Sequence, residues 1–504
     1  MSGAERHARV REKIKPLQKH FEAISATHML RAARPAARRP DVAIIGAGFA
    51  GLMAGYSLAG CCNVTIYEAR NRVGGRVWSQ NENDRIVEAG GELIGYDHPL
   101  WLMLAREFQL GFSVLSSDAN FDALRLESPL YLDGTKLSKP KLESIYEEMT
   151  VAFNKMSRQA QAIKDPHRPW LAKNAVKLDN TRLSDWIAEL HCKPLTRLAI
   201  EEQFSNDGGA PTAEQSLLAN LAVVAGAAHH NKHNAFFTQT EVLRCSEGNQ
   251  ELAERLARAI RDTGGTVNLS SPVSAIGVTK ENATVELENA AAFTADYAIL
   301  AIPPNLWPGN PRAKIAINPD LPRDYYVTMG TSVKYLSSLK HRFWIGQGLA
   351  PTATSDQFGV TWEGSDNQIA KPGKEVELSL FAGGHVAQEA LKALDLGGQP
   401  EVRAFYESRI GAIYGGYAAN ISQAPRFVAW PRDEWTAGGY ACPAPGEVCR
   451  AGPLLRKGFH KRLFFAGEHT CPAYYGYMEG ALQSGKTVAS TIVKLVRKAA
   501  TGHA

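Results

Sequence analysis

A glycine hexapeptide set between two short apolar runs constrains this chain more than any other feature. Asp41 to Ile45 (DVAII) has the near-continuous apolar character of a strand buried on both faces of a parallel sheet. Gly46-Ala47-Gly48-Phe49-Ala50-Gly51 follows as G-x-G-x-x-G, Leu52 to Leu58 reads as a helix, and Asn63 to Tyr67 as a second strand ending at Glu68. In such a unit Gly46 makes the tight turn, Gly48 lets the backbone approach a pyrophosphate, and Gly51 lets the helix pack on its strand. The helix N-terminus offers unpaired N–H groups and the positive end of its dipole. Glu68, about 20 residues past Gly46, stands where a carboxylate accepts the hydroxyls of a ribose. The hexapeptide alone would be only a turn. Strand, turn, helix, strand and acid in register predict a Rossmann-like dinucleotide-binding unit.

The 504 residues exceed what one core organises, so more than one domain is expected. Leu115 to Thr240 carries helical periodicity, clearest over Leu183 to Leu190 and Ala213 to Ala228, and Asn249 to Ile260 continues it. Thr266 to Leu269, Phe293 to Ala301 and Arg462 to Ala466 read as strands returning to the first sheet. Residues 331–425 mix strands and helices, and Tyr477 to Arg497 is the last helix. The expected fold is therefore α/β. A Rossmann-like domain is built from discontinuous segments 41–115, 241–330 and 426–500, and a mixed sheet-and-helix substrate domain from 116–240 and 331–425. Residues 1–40 form an extension, helical over 1–30, with Arg31 to Pro40 as a linker.

Composition narrows the function. A net charge of +5 on so long a chain does not argue for nucleic acid. No apolar run is long enough to span a membrane, and the basic N-terminus has no apolar core of a secretion signal. Seven cysteines without framework spacing read as reduced thiols, so a cytoplasmic location is expected; the oligomeric state is open, with a homodimer as one reading. His229, His230 and His233 (HHNKH) lack a carboxylate or cysteine partner at ligand spacing and read as a polar loop or pocket lip with Lys232; no metal is expected.

Two further stretches carry more specific information. Glu68-Ala69-Arg70-Asn71-Arg72-Val73-Gly74-Gly75-Arg76 resembles the E-A-x-x-R-x-G-G-R signature of the flavin amine oxidases, the family of monoamine, polyamine and L-amino-acid oxidases. Phe465 to Thr470 (FAGEHT) and Gly476 to Ala481 (GYMEGA) resemble that family's C-terminal F-A-G-E-x-T and G-x-x-x-G-A. The resemblance runs from about Asp41 to Lys494. It implies FAD, held by Gly46, Gly48, Gly51, Glu68, Arg70, Gly75, Arg76, Gly91, Glu92, Val273, Trp430, Gly467, Glu468 and Met478. It also implies hydride transfer from the C–H beside nitrogen to flavin N5, an imine that hydrolyses to carbonyl and ammonia, and dioxygen reduced to hydrogen peroxide. Met329 to Lys334 resembles the segment ending in the family's active-site lysine, which makes Lys334 the candidate behind N5, and Tyr477 matches an aromatic that aligns the amine.

The substrate pocket follows the family pattern less closely. Its expected residues are Leu93, Tyr440, Ala441 and Tyr474, with Ala441 at the place of the second cage aromatic. Tyr440 stands where covalently flavinylated members carry cysteine, so FAD is expected to dissociate. Leu93 replaces the arginine by which amino-acid oxidases hold a carboxylate, a role left open to Arg244 or to another arginine; an L-amino-acid substrate is weakened but not excluded. Glu92 is expected either to contact FAD, to meet the second cation of a diamine, or to be tied up by loop N–H groups. Asp207 is a candidate for attracting a cationic amine, or a solvated loop residue. The rival readings are an L-amino-acid oxidase with a non-standard carboxylate site, an FAD-dependent desaturase of an apolar substrate, and a non-catalytic FAD-binding protein.

Overall fold

In the computed structural model residues 38–500 are described, apart from 83–84, 117, 228–234, 289 and 367–374. The expected N-terminal helix, most of the linker and His229, His230 and His233 lie outside the described residues.

The dinucleotide unit forms as its sequence directs. Asp41–Ile45 is the central strand of a five-stranded parallel sheet, with Tyr297–Leu300 and Leu463–Phe465 on one side and Asn63–Tyr67 and Thr266–Asn268 on the other. Phe49–Leu58 is buried over most of its length because helices Asn249–Asp262 and Met478–Ala500 pack against it. Small residues make that packing possible: a Cβ on Gly485 would lie 2.2 Å from the Ala50 carbonyl oxygen. A four-stranded sheet, Ala290–Ala295, Ala283–Leu287, Val273–Val278 and Ala316–Asn318, extends this half.

The second half is a seven-stranded mixed sheet roofed by helices. Ser332–Leu339, buried at all eight positions, pairs antiparallel with Val376–Gly383 and with Arg426–Ala429. The Arg426–Ala429 strand thus belongs to this sheet, so the chain leaves it several residues later than the expected limit at 426. Gly384–Ile413 packs along the sheet and breaks at Gly398 (φ 67°) just before Pro400. Lys139–Ala160, Pro194–Gly208 and Leu217–Ala227 form a helical layer. Leu217–Ala227 approaches the 472–474 turn closely, for a Cβ on Gly226 would meet the Ala473 carbonyl oxygen at 2.1 Å. That contact brings the helical layer against the segment that carries Tyr477.

Candidate active site

One cleft of about 380 Å³ runs from the Gly46 turn, past the 90–93 loop, to the helical layer. At its first end the three glycines have three separate causes. Gly46 has φ +102° and a Cβ there would lie 2.7 Å from the Ala301 carbonyl oxygen; a Cβ on Gly51 would lie 2.0 Å from the Gly46 carbonyl oxygen. Beside Gly48 the space is open, with only the Gly74 carbonyl oxygen at 4.0 Å. The open position faces the cleft at the helix N-terminus, a place suited to a phosphate; Gly51 does not line the cleft and packs the helix on its turn. Glu68 accepts from the Ala47 N–H at 2.7 Å and the Arg70 N–H at 2.9 Å, which fixes its carboxylate at the strand end. Val273 lines the same end.

The arginines and Glu468 organise the middle of the cleft. Arg76 donates to the Gly439 carbonyl and to Glu468 Oε1, both at 2.8 Å. Glu468 Oε2 accepts from the Gly476 N–H at 2.8 Å, and its carboxylate also accepts from the Ala441 N–H at 3.2 Å. Thus one acid ties the 439–441 and 476–478 segments to the nonapeptide after Glu68. Arg70 is held by Asp433 and by Thr436 at 2.9 Å. The glycine-walled cradle, a helix N-terminus beside open space, a strand-end carboxylate and the guanidinium of Arg76 fit an elongated phosphate-bearing dinucleotide such as FAD.

Next comes a buried charge cluster. Lys334 donates to Glu92 Oε2 at 2.7 Å and to the Glu88 carbonyl oxygen at 2.9 Å. Glu92 Oε1 also accepts from Arg244 Nε at 2.7 Å and Trp362 Nε1 at 2.8 Å. Burial by itself would raise the Glu92 carboxyl, but Lys334 and Arg244 bring it down to about 2. Burial pushes the Glu88 carboxyl up to about 7, against hydrogen bonds from Asn249 and Ser79. The Asn249 amide donates to the Gly91 and Glu92 carbonyls at 2.9 Å and so pins the loop. Gly91 lies under Met478, and Trp430 donates to the Ala89 carbonyl at 3.1 Å. An ammonium has three protons, so Lys334 keeps one for a water or ligand in the cleft.

The far end is the chamber. Leu93, Phe204, Val223, Phe236, Tyr440 and Tyr477 line it, together with Asp207 and Glu241. Tyr477 donates to Glu241 Oε1 at 3.3 Å and its ring meets His98 edge-on at 5.3 Å. Tyr440 donates to the Asp207 carbonyl oxygen at 2.7 Å. Burial first, then the nearby carboxylates, keeps both phenols far above their ordinary pKa and therefore neutral. His98, buried, is lowered to about 3 and is neutral as well.

Three expectations change. Tyr474 is buried outside the chamber, donating to the Asp97 and Gly226 carbonyls at 3.1 and 3.2 Å, because the turn before Tyr477 points it the other way. Arg244 is 3% exposed, does not line the cleft, and donates from Nε to Glu92 and from Nη2 to the Glu363 carbonyl, which places it behind the cleft wall instead of in the chamber. Glu92 is held by side-chain cations and an indole, not by loop N–H groups. Ala441 and Tyr440 both line the cleft, and the aromatic wall beside Gly476 is Tyr440, whose ring a Gly476 Cβ would meet at 3.0 Å. Glu241, Phe236 and Trp362 were not legible in the sequence; no motif marks them. Among the described residues no group of three or more His, Cys, Asp or Glu side chains is placed to hold a metal, and no helix is long and apolar enough to cross a membrane.

Comparison with known proteins matches this geometry. The chain is 25% identical over 476 residues to an L-amino acid dehydrogenase of Synechocystis sp., covering 90% of this chain and 95% of that one. It is 26% identical to a probable flavin-containing monoamine oxidase A of Dictyostelium discoideum (90% and 97%) and 25% identical to human flavin-containing amine oxidase B (91% and 87%). In fold it superposes on putrescine oxidase with putrescine bound (TM-score 0.76, 24% identity, 90% and 99% covered) and on cyclohexylamine oxidase from Brevibacterium oxydans (TM-score 0.76, 22% identity, 91% and 100% covered). The family profile described as flavin containing amine oxidoreductase matches residues 49–493, nearly the whole described chain, and this protein belongs to that family.

Proposed function

We propose that this FAD-dependent amine oxidoreductase oxidises the C–N bond of an amine that needs no carboxylate, passing the electrons to dioxygen. The observation carrying this reading is the chamber wall. Leu93 stands where a carboxylate-binding arginine is expected, and the arginines lining the described cleft, Arg70 and Arg76, are engaged by Asp433 and Glu468. FAD, when bound, supplies the two-electron acceptor and the site at which dioxygen is reduced to hydrogen peroxide.

The chain's own residues do the rest. Tyr477 and Tyr440 present aromatic surface to the amine, and their neutral hydroxyls are fixed by Glu241 and by the Asp207 carbonyl. Apolar walls at Phe204, Val223 and Phe236 exclude water, so the amine is held neutral with its lone pair available. Lys334, anchored by Glu92 and Glu88, directs its remaining proton into the cleft, where it holds a water. The product imine hydrolyses to carbonyl and ammonia. Gly46, Gly48, Glu68, Gly75, Arg76, Val273, Trp430 and Gly467 hold the cofactor, and it is dissociable because Tyr440 replaces the cysteine that would bond it.

The test is a peroxide-coupled screen of paired compounds on purified protein: tyramine with tyrosine, and phenethylamine with phenylalanine. Amines at least as good as their parent amino acids support the reading. Amino acids favoured more than about tenfold in both pairs, the low end of a lost charged hydrogen bond, would contradict it.

A further inference from the structure

Two carboxylates of the chamber stand apart from the ion-paired acids around the cleft. Asp207 sits in the last turn of Pro194–Gly208, and Glu241 lies just before the Leu243–Cys245 strand. Both are exposed residues, yet protein surrounds the chamber onto which they open, and both line it. Glu92, Glu363 and Glu468 are each paired with an arginine or lysine. Among the described residues neither Asp207 nor Glu241 makes an ion pair with a protein cation. Asp207 is supported by the neutral side chains of Gln203 and Asn206, and Glu241 by the Tyr477 hydroxyl.

The geometry points to Asp207 and Glu241 as specificity-determining residues that select a substrate carrying a second cation, an ammonium or guanidinium, remote from the nitrogen whose C–H is oxidised. This rests on the amine-oxidising reading above. Two carboxylates on one chamber wall repel each other, and a cation entering between the apolar surfaces of Phe204, Val223 and Phe236 relieves that repulsion and is attracted by both. The surrounding protein first, then Glu241, pushes the Asp207 carboxyl up to about 7. A remote cation entering the chamber neutralises the arrangement. The phenols give the direction, since the hydroxyls of Tyr477 and Tyr440 are anchored at Glu241 and at Asp207. The acids therefore keep one nitrogen protonated at the far wall, while the other, beside the aromatic faces, is neutral. That division of protonation is what a diamine or a basic amino acid needs in order to react at one end only.

The experiment uses FAD-loaded protein and two matched pairs, cadaverine with pentylamine and L-lysine with L-norleucine, read as kcat/KM. Within at least one pair the wild type favours the cation-bearing member by about ten- to a hundredfold, the worth of a charge-assisted contact. Asp207→Asn and Glu241→Gln each lower that preference, and the double variant brings the ratio towards one. Glu241→Gln retains an acceptor for the Tyr477 hydroxyl, so a purely structural role would slow both members of a pair alike and leave the ratio unmoved. A ratio near one in wild type, or one indifferent to both substitutions while amines are still oxidised, overturns the inference alone. Reduction of the flavin by tyramine or phenethylamine but by none of the four compounds also overturns the inference alone, and reduction by none of the six overturns the amine-oxidising reading and the inference with it.

Discussion

The cleft contains two acidic centres that solve opposite problems. Around Glu92 every charge is answered: Lys334, Arg244 and the Trp362 indole converge on one carboxylate, which stays ionised far below the ordinary range. Around Asp207 and Glu241 no described protein cation answers, and the surrounding protein pushes both carboxyls upward. The first centre is closed and rigid, suited to fixing Lys334 beside the cofactor loop. The second is open and holds its charge for something that arrives. A buried acid is therefore a poor indicator of function until its partners are known, and here the partners separate scaffold from binding surface.

The contrast breaks most severely if Glu92 is removed. Glu92→Ala leaves Lys334 and Arg244 facing each other without an anion, and losing one partner of a buried pair costs about 3–5 kcal/mol. Urea unfolding should show that loss in the midpoint, whereas Asp207→Asn should not destabilise and, by relieving an unpaired acid, should stabilise if anything. Lys334→Met comes next. It leaves Glu92 paired with Arg244, so FAD remains bound, but the flavin half-reactions slow by about 10²–10³, the worth of one well-placed donor. Wild-type rates of reduction and reoxidation in stopped flow would remove Lys334 from the chemistry.

pH sharpens the comparison at smaller scale. The Asp207 carboxyl lies near 7, raised by the surrounding protein and then Glu241, with Gln203 and Asn206 as its neutral partners and Tyr440 a neutral phenol beside it. It gains negative charge as pH rises through that value and loses it below. The cadaverine-to-pentylamine ratio of kcat/KM should therefore climb between about pH 6 and 8, a window set by a carboxyl raised from its usual value near 4. Using the ratio cancels deprotonation of the reacting amine. Glu92, at about 2, is ionised throughout that window and contributes no slope. The smallest effect is expected from Arg244→Lys, which keeps a cation on Glu92 and should leave the tyrosine-to-tyramine ratio as in wild type. A selective loss of tyrosine oxidation would restore Arg244 as a carboxylate ligand.

What was legible in the sequence follows from distance along the chain. Gly46, Gly48, Gly51 and Glu68 belong to one contiguous β-α-β unit whose spacing is readable in the sequence, although the Cβ excluded at Gly46 would meet Ala301 beside a strand distant along the chain. Lys334 was legible through its flanking segment. Glu92 was read as a residue of interest, but its partners come from three separate strands, Leu243–Cys245, Ser332–Leu339 and Gly359–Glu363, and no spacing connects them. Arg244 misled because a lone arginine in a strand near the cleft says nothing about which way it is spent. Tyr474 misled because it is three residues from Tyr477, yet the intervening turn sends the two rings to different surroundings. Glu241 stayed invisible: its role arises only where the helical layer closes on the 476–478 segment, a meeting set by packing at Gly226 and Ala473.

The most direct test of the whole account is anaerobic mixing of the purified holoprotein with cadaverine, tyramine and L-lysine, following the visible absorbance of the flavin. The account predicts an acid-releasable FAD whose absorbance bleaches with at least one of these compounds and returns on admitting air, with hydrogen peroxide formed in step. A protein that takes up no FAD, or whose bound FAD none of them bleaches, would contradict it.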